Sequence, residues 1–281
     1  MMKKTLSRVL IVAMALGMLV MFAACGNPGN GGNGGDVGDD GGSETLICGV
    51  TIYEPMNFQD DEGNWTGFDT EFAQLVGEKL GMEVKFQEIK WENKYSELES
   101  GAINCIWNGF TANSSDDGKK RSELVDFSYS YMLNQQCVVV KADRAGEFAS
   151  EDDLVGKTAA AESGSAGESF ATDAIGDSGT LITSTSQIST LTEVKSGAVD
   201  CAVIDILLAL EKAGSGDYAD LAIADITLDS EVYAIGFQKG SELTEKVNQA
   251  IQELYDEGKL EELAEKYGLE NSLQLDTSFA G

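Results

Sequence analysis

From residue 44 onward, short apolar runs alternate with stretches whose apolar residues recur every three or four positions, as strands alternating with amphipathic helices do. Residues 46–50 read as a strand. Residues 69–80 (DTEFAQLVGEKL) read as a helix with Phe72, Leu75, Val76 and Leu80 on one face, stopped by Gly81. A strand follows at 84–87, a helix at 93–100 ended by Gly101, and a third strand at 103–107. Residues 136–140 form an apolar strand that leaves this first unit. The order then repeats: strand 157–161, a turn at Gly164, helix 166–174, a small strand at 181–182, helix 186–196 closed by Gly197, and a buried strand at 199–204. Asp205 is placed to cap helix 205–212, its carboxylate accepting early backbone N–H groups. After a strand at 221–224, residues 231–237 form a second apolar connector, and 242–267 form two amphipathic helices broken at Gly258.

Each unit runs strand–helix–strand–helix–strand. The predicted fold class is therefore α/β, two lobes that are each a mostly parallel sheet flanked by helices, joined by two hinge strands. Ligands of such sheets sit at the carboxyl ends of the strands, and a hinge lets two lobes close around a solute. The expected boundaries are 44–137 plus 231–281 for lobe 1 and 138–230 for lobe 2.

Ahead of this body, Lys3, Lys4 and Arg8 precede an apolar stretch, residues 9–22, too short for a comfortable membrane span. It closes with Phe22-Ala23-Ala24-Cys25, which resembles the bacterial lipobox, although Leu is the usual residue where Phe22 stands. Residues 1–24 are thus expected to be a lipoprotein signal peptide, with Cys25 as the lipidation site. Residues 26–43 (GNPGNGGNGGDVGDDGGS) hold nothing able to anchor a core. As a flexible coil they would span roughly 24 Å between a membrane anchor and the folded part.

Charge and composition remove several functions. The 281 residues carry 19 Lys+Arg against 48 Asp+Glu, a net charge of −29. That balance argues against nucleic acid, where basic residues on phosphate supply most of the affinity. There is no histidine, which removes Ser-His-Asp and Cys-His nucleophile chemistry and any zinc site built on imidazole. Cys48, Cys105, Cys137 and Cys201 are widely spaced inside apolar runs with no CxxC pair. Buried free thiols are the favoured reading. A Cys48–Cys105 bridge stays open, because both belong to one lobe. No metal or other cofactor is implied.

Four motifs, in this order and spacing, resemble the family of bacterial solute-binding proteins that feed polar-amino-acid ABC transporters. Trp65-Thr66-Gly67-Phe68-Asp69 resembles its small hairpin running into the first helix. Residues 98–107 (LESGAINCIW) resemble its L-x-x-G-x-x-D segment, with Asn104 where Asp is usual. Residues 125–131 (VDFSYSY) match its DFS-x-x-Y segment, and Ser196-Gly197-Ala198-Val199-Asp200 repeats the helix-to-strand turn in the second lobe. The resemblance covers nearly all of residues 44–270. It implies a type II periplasmic-binding-protein-like fold and a monomeric, exported, lipid-anchored binding protein that hands a polar or charged amino acid to an ABC permease.

The residues can be tested against the needs of a zwitterion, which are a cationic fork for its carboxylate and acceptors for its ammonium. After residue 24 the only arginines are Arg121 and Arg144. Arg121 stands six residues before Phe127, where the family keeps its ligand arginine. Read from the residues alone, Lys119-Lys120-Arg121 is more readily a solvated basic patch, and the loop between Thr111 and Arg121 is longer than is usual in the family. Asn108, Gly109 and Thr111 follow the third strand as first-lobe partners, though Asn-Gly is also a plain turn signal. Ser165 and Ala166 lie where a helix N-terminus receives the ligand carboxylate. Asp205 matches the family's ammonium acceptor. Trp91 falls at its aromatic wall, and Glu54 lies at or beside the opposing aromatic, with Tyr53 as the alternative. Glu54 is read either as a partner for a cationic ligand end or as an exposed turn residue. A fold-related dehydratase drafting Glu54 or Asp205 for proton transfer, and a ligand-sensing subunit docking on a receptor, are the alternative functions.

Overall fold

The structure, a computed structural model, describes residues 44–279. The expected signal segment, Cys25 and the tether lie outside the described residues.

β1 (Thr45–Val50) leads into a small hairpin, β2 (Phe58–Gln59) and β3 (Trp65–Thr66), and then into α1 (Phe68–Leu80). Phe72, Ala73 and Val76 on one face of α1 are fully buried, and Gly81 ends it in the left-handed conformation. β4 (Glu83–Glu88) returns parallel to β1, in register from Thr45↔Glu83 to Val50↔Glu88. α2 (Lys94–Glu99) follows a single 3₁₀ turn at Trp91–Asn93, so the helix expected from residue 93 starts tighter and is shorter. β5 (Cys105–Ile106) adds a third parallel strand on the other side of β1.

A hairpin, β6 (Ser115–Asp116) and β7 (Lys119–Lys120), fills the long loop before α3 (Arg121–Leu124). Its turn, Asp117-Gly118, takes φ of 51° and 75°, the left-handed pair that a two-residue hairpin needs and that Asp-Gly tolerates. β8 (Asp126–Phe127) then precedes β9 (Ser130–Lys141), more than twice the length expected for the first connector. β10 (Thr158–Glu162), α4 (Ala166–Ile175), β11 (Thr180–Ser184), α5 (Gln187–Ser196) and β12 (Cys201–Asp205) repeat the first unit's order. α6 (Ile206–Lys212), β13 (Leu221–Ile223), β14 (Ser230–Tyr233), β15 (Gly236–Phe237), α7 (Glu242–Asp256), α8 (Lys259–Lys266) and β16 (Leu273–Asp276) complete the chain.

Two sheets result. The first has the order β4-β1-β5-β15-β8 and the second β11-β10-β12-β9-β13, with β14 and β16 on the other end of β9. In each, three neighbouring strands pair parallel and every other pairing is antiparallel. The second connector, expected as one strand over 231–237, is two. β14 pairs with β9, and after Ala234 and Ile235 the chain enters the first sheet as β15. At that crossing a Cβ on Gly236 would stand 2.8 Å from the Phe110 ring, so only glycine passes.

Two further expectations change. Asp205 directly precedes α6, but its side chain does not cap the helix, because other donors hold the carboxylate. Cys48 and Cys105 face each other in register on parallel strands, and both are thiols with their Sγ atoms 3.6 Å apart, neighbours without a bridge.

Candidate functional site

Asn108, Gly109 and Thr111 follow the carboxyl end of β5, and the side chains of Asn108 and Thr111 are buried. Asn108 accepts from Thr51 Oγ1 at 2.6 Å and donates to the Thr51 carbonyl at 3.0 Å, tying two strand ends together. Gly109 donates its N–H to Asp69 Oδ2 at 2.7 Å. Its φ is 54°, and a Cβ there would stand 2.5 Å from the Tyr53 ring, so glycine lets the backbone pass beneath Tyr53 and Tyr233. Those two tyrosines meet edge to face and share a hydroxyl hydrogen bond of 2.6 Å. Asp69, the acid of the Gly-Phe-Asp motif, is buried and also accepts from Tyr131. Burial pushes its carboxyl up to about 7, although the Gly109 and Tyr131 hydrogen bonds pull the other way.

Arg121 is only 1% exposed, which excludes the solvated-patch reading. Its Nε and Nη2 grip Asp116 at 2.9–3.2 Å, Nη1 donates to the Thr111 carbonyl at 3.0 Å, and Nη2 reaches the Gly164 carbonyl at 3.4 Å. The hairpin β6–β7 therefore delivers an internal carboxylate onto the arginine fork. Tyr95 donates to the same Asp116 at 2.5 Å, and Lys94 stands 3.5 Å away. Burial alone would raise Asp116, but the Arg121 and Lys94 charges outweigh it and hold the carboxyl below its ordinary value. Lys94 is buried under the Tyr95 and Trp91 rings and donates to the Gly164 carbonyl at 2.7 Å. Burial and the Arg121 charge pull its ammonium down to about 8.

From the second sheet, Asp205 takes amide donors from Asn134 at 2.6 Å, from Gln136 at 2.8 Å and from Gln187. Burial raises its carboxyl in spite of these bonds. Asn134 and Gln136 also donate to Glu231, which accepts from the Thr111 hydroxyl at 3.1 Å. Burial and the Asp205 charge lift Glu231 to about 7. A continuous path thus joins Arg121 to Asp205 through Thr111, Glu231 and the two amides. At the head of α4 the Ser165 hydroxyl accepts from Glu168 N at 3.0 Å, with Ala166 next in the same turn. Trp91 is buried edge-on against Phe110 at 5.5 Å. Glu54 stands apart from the path, at the rim, where it pairs with Lys212 of α6.

Arg121, Thr111 and Asp205 are therefore linked through one hydrogen-bonded chain. Trp91 packs on Phe110 and Lys94, and the Ser165–Ala166 turn opens α4 directly after Gly164, whose carbonyl Arg121 and Lys94 share. Lys94, Asp116, Asn134, Gln136, Glu162, Gln187 and Glu231 were not singled out from the sequence. Asn134 and Gln136 left a trace there: two amides at alternate positions at the head of an apolar run, on one side of a strand.

Residues 46–270 match the model of the bacterial extracellular solute-binding proteins, family 3. The arginine-binding extracellular protein ArtP of Bacillus subtilis is 31% identical over 231 residues, 81% of this chain and 88% of its own. The L-cystine-binding protein TcyJ of Escherichia coli is 30% identical over 225 residues, 79% and 82% of the two chains. A crystal structure of an ABC uptake transporter substrate-binding protein from Streptococcus pneumoniae with bound histidine superposes with a TM-score of 0.69 at 31% identity, covering 79% of this chain and 92% of that one.

Proposed function

The chain belongs to the bacterial extracellular solute-binding proteins, family 3, and from that premise we propose that it captures a polar or charged amino acid between its two lobes and delivers it to an ABC permease. In this reading the lobes are 44–137 plus 231–281, and 138–230. The protein is exported, anchored by a lipid on Cys25 through the glycine tether, and acts as a monomer.

The observation that carries the reading is the hydrogen-bonded path from Arg121 to Asp205, buried where the two sheets meet. A free α-amino acid carries its ammonium and its carboxylate on one carbon, and such a solute is held by a guanidinium at one pole and a carboxylate at the other. Asp116, Thr111 and Gly164 take four of the five guanidinium N–H groups, which leaves one on Nη1 for the ligand carboxylate. The turn at Ser165 and Ala166 supplies the helix N-terminus beside it. Asp205 receives the ammonium. Asn108 and Gly109 shape the floor under Tyr53, Trp91 walls the side, and Glu54 closes the rim through Lys212. No bond is made or broken, and release follows when the transporter favours the open form.

A thermal-shift screen of the twenty amino acids tests this. The right one stabilises the protein by about 2.7 kcal/mol at a hundredfold excess over its Kd and raises the melting temperature accordingly. A flat response to all twenty would overturn the reading.

A further inference from the structure

Taking the amino-acid reading as given, we propose that Glu162 receives a second positive charge of the solute, which is therefore an amino acid with a cationic side chain of the arginine or lysine kind. Glu162 ends β10, directly before the Ser163-Gly164-Ser165 turn. The pairing of Ala160 with Ala202 sets it level with Ile204, one residue before Asp205 on the neighbouring strand. It is 3% exposed, and its buried Oε1 has no hydrogen-bond partner.

The neighbouring acids differ from it in this respect. Asp116 holds Arg121 and Tyr95, Asp205 has three amides, Glu231 has two amides and a hydroxyl, and Asp69 has Gly109 and Tyr131. Buried polar groups in folded proteins are almost always paired, and a buried charge nearly always has a counter-charge. Lys94 is the one cation within electrostatic reach, but it makes no hydrogen bond to Glu162; its ammonium donates to the Gly164 carbonyl and faces Asp116. Asp205, the other charged group within electrostatic reach, has the same sign.

The charge balance points the same way. Arg121 and Lys94 are set among four acids, Asp116, Glu162, Asp205 and Glu231, more than two cations can hold ionised, and burial pushes the last three towards their neutral forms. A solute whose only charges are its own ammonium and carboxylate leaves that excess untouched. One with a further ammonium or guanidinium reduces it and gives Glu162 Oε1 its donor. Arg121, already covered by Asp116, is then left with the modest task of fixing the ligand carboxylate.

The test uses ligand pairs of matched shape, arginine with citrulline and lysine with norleucine, titrated calorimetrically into the full-length chain and its Glu162→Gln variant. The wild type is expected to favour the cation of a pair at least about tenfold, as hydrogen bonds to charged groups warrant, and Glu162→Gln to bring that ratio near unity. Should Glu162→Gln not fold, Glu162→Asp keeps the charge and is expected to keep the preference, while the wild-type ratios decide the matter alone. Citrulline binding as tightly as arginine, and norleucine as lysine, would overturn the assignment of Glu162 while the amino-acid reading stands. Absence of binding by any of the twenty amino acids would overturn both.

Discussion

Glu162 and Asp69 are both buried carboxyls raised by desolvation, to about 8 and about 7, yet only Asp69 has donors. The difference gives Glu162 a stability signature of its own. An acid whose folded pKa lies above its unfolded value, about 4.3 for Glu, favours the folded state below that value. The advantage is lost as pH rises through the folded pKa. Glu162→Gln, which does not titrate, is therefore expected to gain stability relative to the wild type between about pH 4 and pH 8. Urea unfolding of both proteins at pH 5, 7 and 9 measures it, and parallel profiles would contradict a buried, unpaired Glu162. Arg121 shows the limit of reading one residue at a time. Its spacing to Phe127 located it, but that spacing carried no sign that Asp116 already occupies its fork.

At the scale of elements, the inserted hairpin β6–β7 matters most. It brings Asp116 against Arg121, Lys94 and Tyr95, three groups from two other segments. Asp116→Ala leaves two buried cations without their carboxylate. The expected cost is about 3 kcal/mol, the low end for breaking a buried pair because Asp116 keeps 16% side-chain exposure. Chemical denaturation reads it, and a loss below about 1 kcal/mol would mean that the cluster is solvated. The order of strands and helices was legible from periodicity alone, because each buries one face and turns at glycine. The hairpin was not, since Ser115, Asp116, Lys119 and Lys120 carry no apolar alternation. Nor was the division of 231–237, whose even apolarity hides that its two halves pair in different sheets. Asp205 read as a helix cap from its neighbours in sequence, while its actual donors, Asn134, Gln136 and Gln187, come from two distant segments.

At the scale of the whole molecule, a set of polar contacts joins the segments before β9 to those after it. Lys94 and Arg121 reach Gly164, Glu92 accepts from Ser163, the Ser115 carbonyl accepts from Ser169, and Glu54 pairs with Lys212. On the proposed two-lobe reading, Lys212→Ala removes a contact of the closed form, so it taxes the closed population and not the lobes themselves. A partly exposed pair is worth at most about 1 kcal/mol, so the Kd is expected to rise by no more than about fivefold. Calorimetric titration with the amino acid found in the screen measures it, and a tighter Kd would contradict the closure role. The central claim, that one amino acid is held by its carboxylate at Arg121 and its ammonium at Asp205, is tested most directly by titrating that amino acid and its α-carboxamide into the wild type and Arg121→Lys. The wild type is expected to prefer the free carboxylate by about thirtyfold, the scale of a charged hydrogen bond, and Arg121→Lys to lose most of that preference. Equal binding of the acid and the amide by the wild type, or an unchanged preference in Arg121→Lys, would contradict it.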